Sequence, residues 1–137
     1  MLFRSLEGGP TELRDRVGKA RIGNGFGMVV RHAVEELPVY GSTVQSGKQP
    51  REYHPAMQLL CRDQAMLESS YQDYLAGRPP ARPSVVAMTF SGIDPTLAPA
   101  GQHTLFTWAQ YHTYELRNGE NWDVIREREA DKLYDLV

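Results

Sequence analysis

A chain of 137 residues has the length of one domain, and with 41% hydrophobic and 23% charged residues it can build a core rather than stay disordered. Its 15 basic and 17 acidic residues give a formal net charge of -2 with no basic block, which argues against a nucleic-acid binder. No apolar run approaches the roughly 18 residues of a membrane span, the start MLFRSLEGGPTELRDR is too polar for a signal peptide, and a lone cysteine, Cys61, excludes an internal disulfide or a CxxC metal site. A reducing, cytoplasmic setting is therefore expected.

Residues 1–20 carry no clear pattern and are broken at Gly8-Gly9-Pro10. The domain proper is expected over 21–137. From Phe26 to Val34 the β-branched and aromatic content predicts a strand, with Phe26, Met28, Val30 and His32 on one face. Pro38 ends it, and the Gly-, Ser-, Gln- and Pro-rich stretch 38–55 reads as a long loop.

A helix is predicted over about residues 56–76, beginning at Pro55 or Asp63, because Leu59, Leu60, Met66, Leu67, Tyr71, Tyr74 and Leu75 recur at helical spacing. Gly77 suits the position after its last turn, and Arg78-Pro79-Pro80 cannot continue it. Ser84–Phe90 and His103–Tyr111 read as two strands that pair antiparallel through the turn-rich connection 91–101. A last helix begins near Asn121, a suitable N-cap, and carries Trp122, Ile125, Leu133 and Leu136 near one face. It runs to Val137 without a stop signal, as expected of a segment of something longer. The order of elements predicts an α+β fold, an antiparallel sheet covered by helices.

No self-contained catalytic set appears. Gly23-Asn24-Gly25-Phe26-Gly27 is spaced G-x-G-x-G, follows a charged stretch and precedes a strand, so it reads as a bend or bulge rather than a dinucleotide loop. His32, His54, His103 and His112 lack metal-ligand spacing and read as surface or core histidines. Cys61 reads as a small core residue within the helix pattern. Asp123, Glu127, Glu129 and Asp131, interleaved with Arg126, Arg128 and Lys132, read as a solvated helix face. Strict alternation along the last strand places Thr104, Phe106, Trp108, Gln110 and His112 on one face. Phe106, Trp108, Gln110 and His112 are thus the candidate pocket residues, with Gln110 and His112 as polar handles. The alternative is that Phe106 and Trp108 simply pack beneath a helix, which burial propensity favours.

Several stretches carry a family likeness: Gly77-x-Pro79-Pro80, Pro83, Ser91, Asp94-Pro95-Thr96-Leu97-Ala98-Pro99, Gly101 and Trp108-x-Gln110-Tyr111. Together with the Trp-bearing segment 120–137 and the stretch from Arg21 to Tyr40, they resemble the substrate domain of phytoene-dehydrogenase-like flavoproteins. The resemblance implies a parent that binds FAD through a G-x-G-x-x-G segment and a C-terminal glycine-rich segment, neither of which is present here. It also implies oxidation of an apolar, carotenoid-precursor-like substrate by hydride transfer to flavin. On this reading the chain has no catalytic, cofactor or metal residues of its own. Its partners are the FAD-binding domain and the apolar substrate, it is inactive alone, and it self-associates. The open alternative is a stand-alone α+β ligand-binding or protein-interaction module. The two differ over the Phe106, Trp108, Gln110 and His112 face: open in the first, covered in the second.

Overall fold

The computed structural model describes residues 9–21, 23–45, 47, 54 and 56–137. Helix α1 spans Thr11–Gly18 and buries none of its residues. It is followed by strand β1 (Gly25–Val34) and a four-residue helix α2 (Gly41–Val44). Of the long loop expected over 38–55, residues 46, 48–53 and 55 lie outside the described set.

Strand β2 (Met57–Leu60) comes next, then helix α3 (Gln64–Leu75). The single helix expected over 56–76 is therefore a strand and a shorter helix. Two facts explain the split. Met57–Leu60 pair antiparallel with β3 and alternate between outward Met57 and Leu59 and half-buried Gln58 and Leu60. The Asp63 carboxylate then accepts the Met66 amide at 2.9 Å and fixes the start of α3. Gly77, at φ +73, closes α3 where a side chain would also strike that of Arg117.

Strand β3 (Ser84–Met88) leads through two 3-10 turns, Phe90–Gly92 and Pro95–Leu97, into β4 (His103–Thr113). Helix α4 (Trp122–Tyr134) follows, capped as expected by Asn121, whose side chain accepts the Asp123 amide at 2.8 Å. The four strands form one antiparallel sheet in the order β1-β4-β3-β2. The fold is α+β: an antiparallel sheet with helices.

The two faces of the sheet differ sharply. One carries the core, in which Val85, Ala109 and Leu133 are fully buried with Met28, Val30 and Leu60 packed against them. Helix α4 supplies Ile125, Glu129 and Leu133 to the buried side, the i, i+4, i+8 stripe of one helical face. Glu129 was expected in solvent, but that spacing carries it inward. Its carboxylate is held by Arg128 Nε at 2.9 Å and Lys132 Nζ at 2.6 Å. Trp122 is half-buried and Leu136 lies beyond the helix and exposed.

Polar clasps hold the ends together. Asn24 donates from Nδ2 to Thr113 Oγ1 (2.6 Å) and accepts the Glu115 amide on Oδ1 (2.9 Å), tying the start of β1 to the end of β4. Buried Asp73 accepts Arg78 Nε and the Ala81 amide, both at 2.8 Å, which fixes the turn that leaves α3.

Candidate functional site

The second face of the sheet is largely apolar and partly open, with Ser84 buried at its α3 end. Register places Val29 beside Trp108, Trp108 beside Val86 and Val86 beside Leu59, one row across all four strands. The adjacent row is Arg31, Phe106, Met88 and Met57. Trp108 is 38% exposed, Val29 45%, Met57 53% and Leu59 65%, while Phe106, Val86 and Met88 are half-buried. The Arg31 guanidinium sits 5.6 Å from the Phe106 ring centroid, a cation–π contact at one end of the face.

Strict alternation fails in β4. Phe26 pairs with His112 but Met28 pairs with Ala109, so β4 spends one residue more than β1 between these pairs. This bulge turns His112 onto the core face with Ala109. The candidate set is thus divided. Phe106, Trp108 and Gln110 lie on the open side, and His112 does not. His112 packs against the rings of Phe26 (5.7 Å) and Trp122 (5.8 Å).

Neither ring nitrogen of buried His112 makes a well-formed hydrogen bond, although the Ala109 backbone is close enough to favour the protonated ring. Burial pushes its pKa down to about 4, and the Ala109 carbonyl and Glu129 carboxylate only partly offset this. The ring is therefore neutral at pH 7. The other histidines are structural. His32 Nε2 lies 3.2 Å from Thr107 Oγ1, His103 Nδ1 lies 3.3 Å from Ser91 Oγ, and His54 Nε2 lies 2.8 Å from the Pro38 carbonyl. Among the described residues no cluster of three or more His, Cys, Asp or Glu side chains could hold a metal ion. Cys61 is half-buried between β2 and α3, with its thiol directed to the Asp63 carbonyl, and so is not within a helix core.

At the end of the open face, beside the bulge, lies a notch of about 290 Å³ walled by residues of β1, β4 and α3. Gly25, Phe26, Gly27, Tyr74, Gln110, Tyr111 and His112 line it, so that of the candidate set Gln110 and His112 meet here. Tyr71 stacks on Tyr74 at 5.8 Å and meets Tyr111 edge-on at 5.7 Å, which fixes both phenols. The sequence reading missed Tyr74 and Tyr111. Tyr74 was absorbed into a helix stripe, and the bulge that brings Tyr111 to this side leaves no mark in the residue pattern.

The glycine-rich stretch does not fit a flavin or nucleotide. Gly25–Gly27 belongs to β1, no helix follows, and the Trp108 indole occupies the space above Gly27.

The fold and this face define an α+β sheet domain that builds its core on one side and leaves partly exposed apolar side chains on the other. Its relatives are oxidoreductase-domain proteins. The chain is 34% identical over 108 residues to pyridine nucleotide-disulfide oxidoreductase domain-containing protein 2 of Rattus norvegicus, covering 77% of this chain and 19% of the relative. It is 32% identical over 108 residues to the protein of the same name from Mus musculus, with the same coverage. The chain spans about a fifth of the length of these curated relatives. No family model and no solved structure matches it. The similarity supports the oxidoreductase part of the sequence resemblance and leaves the phytoene part as a reading of the residues. No helix among the described residues is long and apolar enough to cross a membrane.

Proposed function

We propose that this chain is the substrate-facing sheet of a flavin-dependent oxidoreductase, and that the open face forms one wall of a pocket for an apolar substrate. The proposed activity of the whole protein is oxidation of a saturated bond in that substrate by hydride transfer to flavin, as the phytoene-dehydrogenase-like resemblance implies. The flavin would be held by other parts of the protein, in a cytoplasmic setting, and this chain would hold and orient the substrate.

The observation that carries the reading is the row Val29, Trp108, Val86 and Leu59, in which Val29, Trp108 and Leu59 are 45%, 38% and 65% exposed. Exposed apolar surface of this kind costs free energy in water and marks a binding face. The oxidoreductase relatives, of which the 108 matched residues make up 19%, are roughly four times as long as this chain and supply material that could complete the pocket.

The test uses the whole protein. It should purify with bound flavin, and Trp108→Ala should leave flavin content unchanged while raising KM for apolar substrates about tenfold, the effect of losing one large apolar contact. Whole protein that carries no flavin, or a Trp108→Ala variant with unchanged KM for every substrate it turns over, would overturn the proposal.

A further inference from the structure

We infer that the notch at the end of the open face binds an uncharged oxygen, and that the ligand of this face is therefore an apolar molecule carrying a ketone or hydroxyl group rather than a pure hydrocarbon. The inference rests on the reading that an apolar body lies along the sheet.

Three of the residues that wall the notch, Tyr74, Gln110 and Tyr111, carry hydrogen-bonding side chains, and the indole of Trp108 lies beside it over Gly27. The Tyr74 and Tyr111 hydroxyls, the Gln110 side-chain amide and the Trp108 indole Nε1 make no hydrogen bond among the described residues. The second tryptophan shows what a satisfied indole looks like in this protein: Trp122 Nε1 donates to the Thr113 carbonyl at 3.0 Å. The Trp108 N–H has no such acceptor and is donor only, so an oxygen of a ligand suits it.

The notch also selects against charge. Its walls hold no carboxylate, lysine or arginine, and the His112 ring that lines it is neutral at pH 7. A carboxylate would lose its hydration without gaining a counter-ion, whereas a carbonyl can accept from an indole and a phenol at once. The size agrees. A volume of about 290 Å³ accommodates a ring or a short chain end, while a longer apolar body would continue past Trp108 toward Phe106 and Val86. The bulge at Gln110 and Tyr111 is the device that builds the site, because it brings Tyr111 against Tyr71 of α3 while the strand beyond returns to the core.

The chain holds 2 tryptophans, so its nitrogen-15 spectrum should contain two indole N–H signals. Trp122, already bonded, serves as the internal reference. The chain would be titrated with cyclohexanone, cyclohexanol, cyclohexanecarboxylate and cyclohexane. The expected result is a saturable downfield shift of the Trp108 signal with the ketone and the alcohol, a fixed Trp122 signal, and binding at least fivefold tighter than for cyclohexane. The Tyr74→Phe/Tyr111→Phe double variant removes two unbonded hydroxyls and keeps both rings. It should bring ketone binding down to the cyclohexane level while leaving cyclohexane binding unchanged. If cyclohexane binds as tightly as cyclohexanone, the polar notch is refuted and the apolar face survives. If the carboxylate binds tightest, the choice of an uncharged oxygen is wrong. If none of the four gives a saturable shift, both the notch and the apolar face fail as binding surfaces.

Discussion

The indole of Trp108 lies in the space that a side chain at Gly27 would occupy. A Cβ added at Gly27 would overlap the indole Nε1 and come within 2.5 Å of Cδ1. The glycine is therefore a packing requirement of the open face and not part of a nucleotide loop. Gly27→Ala should displace the indole, change its fluorescence, and destabilise the chain by about 1–3 kcal/mol in urea denaturation, as overpacking does. Adding Trp108→Ala to this variant should recover most of the loss. If Gly27→Ala leaves both fluorescence and stability unchanged, the indole does not lie over β1.

His112 gives a pH dependence of definite sign. Its folded pKa is about 4, below its ordinary value of 6.5, because burial disfavours the charged ring. Between about pH 6.5 and 4 the unfolded chain holds a proton that the folded chain does not. The contribution to stability is complete above pH 6.5 and is lost as the pH falls through this window. The full effect is on the order of 3 kcal/mol. His112→Phe keeps an aromatic ring against Phe26 and Trp122 and should flatten the stability profile there. A profile of unchanged slope in that variant would show that other groups cause it.

Most of the fold was legible in local chemistry. Asn121 and Asp63 were visible as N-caps, Gly77 as a helix end, and the β-branched content of 84–88 as a strand, because each signal is carried by the residue itself. What was missed depends on register. Met57–Leu60 looks helical beside α3 and becomes a strand only because β3 offers it a partner. His112 was placed on the wrong face because one extra residue in β4 inverts the alternation after Ala109. Glu129 looked solvated among charges of both signs, yet it shares a stripe with Ile125 and Leu133, and its two cationic neighbours make that burial tolerable. The candidate site was therefore half legible: Phe106, Trp108 and Gln110 could be read from the strand, whereas Tyr74 and Tyr111 needed the bulge and the helix packing to bring them together.

Asp73 ties α3 to the strand that follows it. Its side chain is buried and accepts from the Arg78 guanidinium and the Ala81 amide. Asp73→Ala leaves that amide without its acceptor and should cost about 2–3 kcal/mol of stability. Arg78→Ala removes only the more exposed partner and should cost less. Equal losses from the two variants would place the stabilisation in the ion pair rather than in the turn. Urea titrations of both proteins make the comparison.

The two faces of the sheet should respond oppositely to substitution. Leu133 is fully buried against Val85 and Ala109, and Leu133→Ala should cost about 2–5 kcal/mol, the transfer of a buried side chain plus the cavity left behind. Leu59 and Met57 point out of the short edge strand β2 on the open side. Leu59→Lys together with Met57→Lys should therefore leave folding stability within about 0.5 kcal/mol. The same pair should suppress self-association of the isolated chain, since two lysines on an edge strand repel a second copy and break the apolar patch. Light scattering across a concentration series, read beside the denaturation curves, separates the two effects. A double-lysine variant that unfolds as readily as Leu133→Ala would mean that the face is a second core, covered by residues of this chain.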